Sequence, residues 1–415
     1  RVSGTISDGG NNYDVRFSGE LSGTGGLYLS GSGNSWGGQT EVVRGTVFLG
    51  AHDVLPTTTV LDIHFTNSNN DEYAAVDLNG FNQTVGSLRN EGNSGTKAEL
   101  RNTSGTLSTL TVNETGTITY NGTISGNLAL VKGGAGTLTL AIENTFTGGA
   151  LVSAGTLALG HVNSLKNSTL DTGTTGSQQV TFTAAGTNTY LLGGLKGSDN
   201  VALGANSIQV GANDENTSFQ GVLSGTGGLI KEGSGTLTLA GDNLYTGPTA
   251  VNEGRLTING NQTLSTGAIT VASGATLGGT GTMGGDTSIA GFLDGGAAPA
   301  TVGTLTFAGA TTDLTLQSGS TWLVDVVQGA IDNSDTVNVG GALSIDANAM
   351  LSVAFAGTFT PHSVYTIANY GSLSGTFNGL AEGAFVDAGM KYFINYGGGT
   401  NGSITLTAVP EPGTL

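Results

Sequence analysis

The chain has no cysteine in 415 residues. Disulfides and thiolate-held metals are excluded, so stability has to come from backbone ladders and packing alone. Positive charge is scarce too: 12 Lys and Arg stand against 30 Asp and Glu, a formal net charge of −18. An acidic surface of this size repels phosphate backbones and anionic lipid, which argues against nucleic acid as a partner. Only 10% of the residues are charged, so nothing reads as a long amphipathic helix. No run of about eighteen apolar residues exists, and no membrane-spanning helix is expected. The opening Arg1-Val2-Ser3-Gly4-Thr5 lacks the apolar stretch of a secretory signal.

What the chain has in excess is glycine, 73 residues, roughly two and a half times the usual share. It is arranged periodically. The stretch Gly221–Gly260 has a close copy at Ile124–Gly160. Lys132 aligns with Lys231, Gly136 with Gly235, Asn144 with Asn243, Phe146 with Tyr245 and Gly148 with Gly247, every pair 99 residues apart. A constant offset means duplication without insertion, so the spacing is under structural control. Between Gly136 and Leu140, and again between Gly235 and Leu239, the sequence is the same, Gly-Thr-Leu-Thr-Leu. Leu alternating with Thr is the period of a strand with one buried face. Gly133, Gly136 and Gly148, with Gly233, Gly235 and Gly247, bracket these strands and are expected to turn the chain at positive φ. Short strands between glycine corners describe a chain that winds, each coil pairing with the next.

This pattern, ending in Asn-x-Phe/Tyr-Thr-Gly and a Gly-x-Leu strand, resembles the autotransporter-associated β-strand repeat of bacterial passenger proteins. The last residues, Val409-Pro410-Glu411-Pro412, resemble the PEP-CTERM sorting motif. Together the resemblances imply an all-β, single, elongated, right-handed parallel β-helix that is secreted to the cell surface or beyond. The membrane helix and basic cluster that follow such a motif are missing. A mature chain with its signal and tail removed is therefore expected.

In chain order, residues 1–50 carry a shortened copy that starts the winding, with Asn34 and Trp36 where Asn243 and Tyr245 stand later. Residues 51–267 hold the two full units and spacer coils, with an Asn79-Gly80 turn. From 268 to 408 the strands lengthen and the aromatics gather, which reads as a wider end with a hydrophobic cap or contact surface. Residues 409–415 form the sorting tail. At ~20–25 residues per coil and ~4.8 Å per coil, the chain would make a rod roughly 80–100 Å long.

Winding β-chains include polysaccharide lyases, whose chemistry needs clustered acids beside a base. Asp325, Asp332, Asp335 and Asp346 are the candidate acids, but Lys391 is the one Lys or Arg after Arg255. A polar turn at Asp332–Asp335 is the expectation, ahead of calcium or catalysis. His52, His64, His161 and His362 have no metal spacing and are expected at the surface. No nucleophile elbow, zinc-protease or phosphate-loop motif is present. Asn144 and Asn243 are expected at corners, bonding the backbone of adjacent coils. Phe146 and Tyr245 are expected in corner packing, ahead of a role as sugar platforms. Lys132 and Lys231, with no acid partner identifiable, are expected to be solvated.

No cofactor, metal site or catalytic residue is expected. The leading function is a secreted structural protein that assembles with copies of itself head-to-tail, because neither end of the chain shows a plug against strand addition. A monomeric adhesin or a binder of extracellular polysaccharide is the alternative, and a lyase or hydrolase comes last.

Overall fold

The computed structural model describes residues 1–19, 26–64, 73–91, 97–174, 176, 179–328, 333–357, 361–387, 391–397 and 400–409. The sorting residues Pro410, Glu411 and Pro412, the candidate Asp332, and Ser22 to Gly25 of the shortened copy lie outside them. The chain forms two units, Arg1–Ala202 and Leu203–Leu415. Both are all-β, with no α-helix among the described residues.

In the first unit one coil can be followed strand by strand. Thr123–Gly126 leads into Leu128–Gly133 and then Thr137–Leu140, after which Thr145–Phe146 lands beside Ser125 and Gly126. Each strand pairs in parallel with its counterparts one coil away. Leu130 lies opposite Leu110 on one side and Ala150 on the other, a step of twenty residues each way. Leu138 lies between Ile118 and Leu157, and Leu140 between Tyr120 and Leu159. This is a parallel β-helix. The Thr-Leu-Thr-Leu alternation turns both leucines into the core, fully buried, and leaves the threonines half-buried outside. Aliphatic side chains stack coil on coil, and larger ones such as Tyr120 and Phe146 complete the core.

Many corners use glycine, and a few other residues, at positive φ. Asn79 and Gly80 both take positive φ, 51° and 89°, at the expected turn. They join Ala74–Asp77 to Gln83–Val85, strands of different ladders, so the turn makes a corner instead of a hairpin. Near the start, Thr40–Leu49 bends at Gly45 (φ 77°) and serves two ladders, Val42 pairing with Phe17 and Ile63, Val47 with Leu27 and Val76.

The second unit repeats the three-sided coil in Leu223–Gly225, Leu229–Lys231 and Thr236–Leu239, with Leu244–Tyr245 returning beside Ser224 and Gly225. Leu237 and Leu239 lie opposite Leu256 and Ile258. The coils then widen: Thr321 is opposite Met350, a step of twenty-nine residues. The strand direction finally changes. Val364–Ser374 pairs antiparallel with Thr400–Val409, which pairs antiparallel with Lys391–Asn395, which does the same with Phe385–Asp387. These strands cover the end of one ladder, so the expectation of unplugged ends is corrected there. Antiparallel pairing satisfies the edge N–H and C=O groups that another copy would otherwise meet. The neighbouring ladder ends differently, in Met350–Gly357, which pairs with Thr321–Gln328 and is half-buried or exposed along its length.

Candidate functional site

The two full repeats share one geometry, built around Lys132 and Asn144 in one and Lys231 and Asn243 in the other. Along Leu128–Gly133 the inward positions are Leu128, Leu130 and Lys132, and Lys132 is fully buried. Its ammonium donates to the carbonyls of Gly133 (2.6 Å), Gly134 (2.9 Å) and Ala154 (3.1 Å). Lys231 is 1% exposed and donates to Glu232 (2.6 Å), Gly233 (2.7 Å) and Glu253 (3.3 Å). An ammonium has three N–H groups, and all three are used. Two go to its own corner and the third to the corner one coil on, so the lysine stitches neighbouring coils together. The expectation of solvated lysines is overturned. Strand alternation puts the residue on the core side, where its four-carbon stem packs as Leu would. Burial lowers both lysine pKa values from the ordinary range, while Glu114 beside Lys132, and Asp214, Glu232 and Glu253 around Lys231, push them back up.

The asparagines act at another corner. Asn144 Oδ1 accepts from Ile124 N (2.8 Å), one coil back, and its Nδ2 donates to Ile142 O (3.2 Å) and to Ser164 O (3.3 Å), one coil on. Asn243 accepts from Leu223 N (2.7 Å) and donates to Gly241 O (2.9 Å). In the shortened copy Asn34 accepts from Ile6 N (2.7 Å) and donates to Gly31 O (2.9 Å) and Val54 O (2.7 Å). The aromatic two residues later is buried each time: Trp36, Phe146 and Tyr245. Where it carries a polar atom, a threonine four residues on meets it. Trp36 Nε1 donates to Thr40 Oγ1 (3.0 Å), and Tyr245 OH lies 2.7 Å from Thr249 Oγ1. Phe146 has no such atom, and residue 150 is Ala. Burial holds the Tyr245 phenol up at about 12, with the Thr249 bond pulling the other way. None of the three presents a face to a sugar.

The glycines need a correction of cause. Of the six singled out, Gly233 takes positive φ (69°), but Gly133, Gly136, Gly148, Gly235 and Gly247 do not. A Cβ on Gly136 would stand 2.1 Å from Gly116 O, and one on Gly148 2.4 Å from Leu128 O. These positions exclude side chains because backbone from the preceding coil passes there.

A second cluster lies in the other unit. Carboxylate oxygens of Asp294, Asp325 and Asp335 all fall within 4.8 Å of one another. Arg255 joins them from two coils before Asp294, its Nη1 donating to Asp294 Oδ2 (2.6 Å), Nη2 to Gly296 O (2.7 Å) and Nε to Thr257 Oγ1 (3.1 Å). A cationic side chain thus does meet the acids, although Lys391 is the one Lys or Arg after Arg255 in sequence. Asp335 is fully buried and Asn333–Ser334 pairs antiparallel with Val326 and Val327, so the expected polar turn is corrected over 333–335. Asp346 is elsewhere, accepting from Asn348 N (2.9 Å) in its own turn. The histidines scatter as expected, although His64 and His161 are half-buried.

The cluster's chemistry follows from its donors. Asp335 accepts from Gly303 N and from Asp325 N, both at 2.8 Å, and Asp294 from Gly296 N at 2.9 Å. Three carboxylates are the right groups for a hard cation, and backbone donors already engage both oxygens of Asp335, one each. Burial pushes Asp335 up to about 7, reinforced by Asp294 and Asp325, while the two N–H bonds pull it down. Burial, then Asp294, raises Asp325 too. One Arg against three acids leaves a net charge of −2, which a shared proton reduces.

The sign of the resulting pH dependence is unusual for an aspartate. The native state holds the Asp335 proton more tightly than the unfolded chain, so its stabilisation is full near pH 4 and is lost as pH rises through about 7. Thermal unfolding of the full chain should therefore show the transition of this unit falling by about 5 °C from pH 5 to pH 8. Asp335→Asn should lower it at pH 5 and flatten the dependence. An equally steep profile in the variant would assign the effect to other groups.

The model of the Passenger-associated-transport-repeat family matches residues 130–159 and 229–258, which contain both lysines, both asparagines and both corner aromatics. The adhesin BmaC autotransporter of Brucella suis biovar 1 (strain 1330) is 33% identical over 186 residues, 43% of this chain and 5% of that protein. The autotransporter lipoprotein NalP of Neisseria meningitidis serogroup B (strain MC58) is 49% identical over 51 residues, 12% of this chain and 5% of that protein. The chain thus spans about a twentieth of the length of these curated relatives. Among solved structures, the Haemophilus influenzae Hap adhesin aligns over 89% of this chain and 55% of its own, with 13% identity and a TM-score of 0.27.

Proposed function

We propose that this chain is a surface-exposed segment of a secreted bacterial passenger protein, serving adhesion as a rigid scaffold. The observation that carries the reading is the direction of the repeat's polar groups. Lys132, Asn144, Lys231 and Asn243 all turn inward and bond coil to coil, so the repeats maintain a shaft. Their outward positions are left to half-buried Thr such as Thr137, Thr139, Thr236 and Thr238, which can meet a partner without reacting with it. The named relatives, an adhesin autotransporter and an autotransporter lipoprotein, support the same class. Arg255 and the three aspartates bond one another and the 295–303 backbone, an arrangement suited to holding a loop.

Beads coated with the full chain should adhere saturably to cultured cell layers, to matrix proteins or to insoluble polysaccharide. No adhesion to any of them, together with release of reducing ends or unsaturated sugars from soluble polysaccharide, would replace the adhesin with an enzyme. A second reading, assembly with copies of itself, is favoured by Met350–Gly357, an eight-residue strand with Met350 exposed and one partner in the sheet order. Negative-stain microscopy separates them: fibres growing with concentration support assembly, and single particles at every concentration leave adhesion alone.

A further inference from the structure

Within the first unit, one coil corner is shorter than the next. Gly86 alone separates Gln83–Val85 from Ser87–Arg89, whereas Glu114, Thr115 and Gly116 separate Ser108–Asn113 from Thr117–Tyr120. Up to the corner the two coils are in register, Gln83 opposite Leu110 and Val85 opposite Val112. Beyond it they part. Ser87–Arg89 is the last strand of its sheet, and Thr117–Tyr120 the first of the next. The break narrows to a close where Asn90 Oδ1 accepts from Asn121 N (2.9 Å). Ile118 shows the consequence: it stacks beside the buried Leu138 yet is itself only half-buried. The result is a wedge-shaped notch of about 800 Å³.

Its lining selects the chemistry of a ligand. Thr58, Thr84 and Thr117 offer hydroxyls, each donor and acceptor, and Ser87, whose O–H goes to Glu114, offers an acceptor, around the apolar flanks of Val60 and Ile118. Glu114 is buried and anchored, accepting from Gly116 N (2.7 Å) and from Ser87 Oγ. Arg89 is committed, to Gln39 Oε1 (2.5 Å), to Glu91 (3.1 Å) and to Asp62 (3.6 Å). Glu114, Asp62 and Glu91 outnumber Arg89 and the Lys132 beside Glu114, and both cations are engaged, so an anion is disfavoured. The closed end leaves no room for a strand to pair along the whole break. Mixed hydroxyls over small apolar patches suit a ligand of the same character, with hydroxyls at its rim and C–H faces between. We propose that this notch binds a neutral oligosaccharide. The proposal deepens the adhesive reading and rests on it.

The full chain is screened on a panel of neutral and acidic oligosaccharides, and the strongest binder is titrated calorimetrically. Thr58 and Thr117 are exposed, so the Thr58→Val, Thr117→Val double variant keeps the core. A neutral glycan should bind, uronic-acid chains should not, and the double variant should weaken binding about tenfold, as the loss of one or two hydrogen bonds would. Thr270→Val, an exposed threonine of the other unit, should change nothing. Binding of no neutral glycan, equal binding of uronates, or an unchanged double variant would overturn the notch. If coated beads still adhere in any of those cases, the adhesive reading survives and the notch alone fails.

Discussion

Lys231→Met should destabilise the coil it sits in by about 3 kcal/mol, far more than an ordinary surface lysine would cost. Met keeps the stem's volume and apolar packing, so the loss reports the ammonium. Without it the carbonyls of Glu232, Gly233 and Glu253 lose their shared donor. Each unpaired buried carbonyl costs about 1–3 kcal/mol, and the three are not additive because the corner can relax toward water. Hydrogen exchange is the suitable readout, since a repeat structure opens coil by coil and need not unfold as one. Amides of Thr236–Leu239, Thr249–Val251 and Arg255–Ile258 should exchange faster, while those of Thr321–Gln328 should hold their rate. Lys132→Met should reproduce the effect around Thr137–Leu140. A change of no more than about 0.5 kcal/mol, the size typical of surface substitutions, would mean that the carbonyls do not depend on the lysine.

That lysine was readable, and the alternation was the place to read it. Leu128, Leu130 and Lys132 share one parity, as do Leu229 and Lys231, so the same rule that buries the leucines buries the lysine. Residue type argues for a solvated lysine, but position decides. The asparagine corners and the short parallel strands were legible because duplication at constant spacing leaves one explanation, a coil laid on a coil. The cluster around Asp335 was not legible. It requires knowing that Phe292 lies opposite Thr321 and Arg255 opposite Thr276, and coil lengths there vary, so sequence distance no longer maps to height. The antiparallel end escaped for a different reason: Tyr392-Phe393-Ile394 alternates in the same way whichever direction its neighbour runs. The notch depends on a one-residue corner followed by a three-residue one. Those counts are in the sequence, but their meaning needs the register.

Gly254→Ala should cost about 3 kcal/mol, and the reason can be separated into two parts with a built-in control. Gly254 has φ 61°, a conformation that costs an L-residue roughly 1–2 kcal/mol by itself. An added Cβ would also stand 2.4 Å from Gly233 O and 2.5 Å from Gly235 O, backbone of the preceding coil that cannot swing aside as a side chain would. Gly274, in the same unit, has φ 85° but nothing within 4 Å of its Cβ position. Gly274→Ala should therefore show the conformational cost alone, and the difference between the two variants measures the closeness of the coils. Gly155, with φ 64° and Gly136 O at 2.4 Å, predicts the same excess in the other repeat. Chemical denaturation of the three variants would give the comparison. Equal losses at Gly254 and Gly274 would mean that neighbouring coils yield to a methyl group, and glycine spacing would no longer explain why the repeats keep their register. A clear excess at both repeat positions would identify backbone contact between coils as the constraint that the 99-residue duplication preserves.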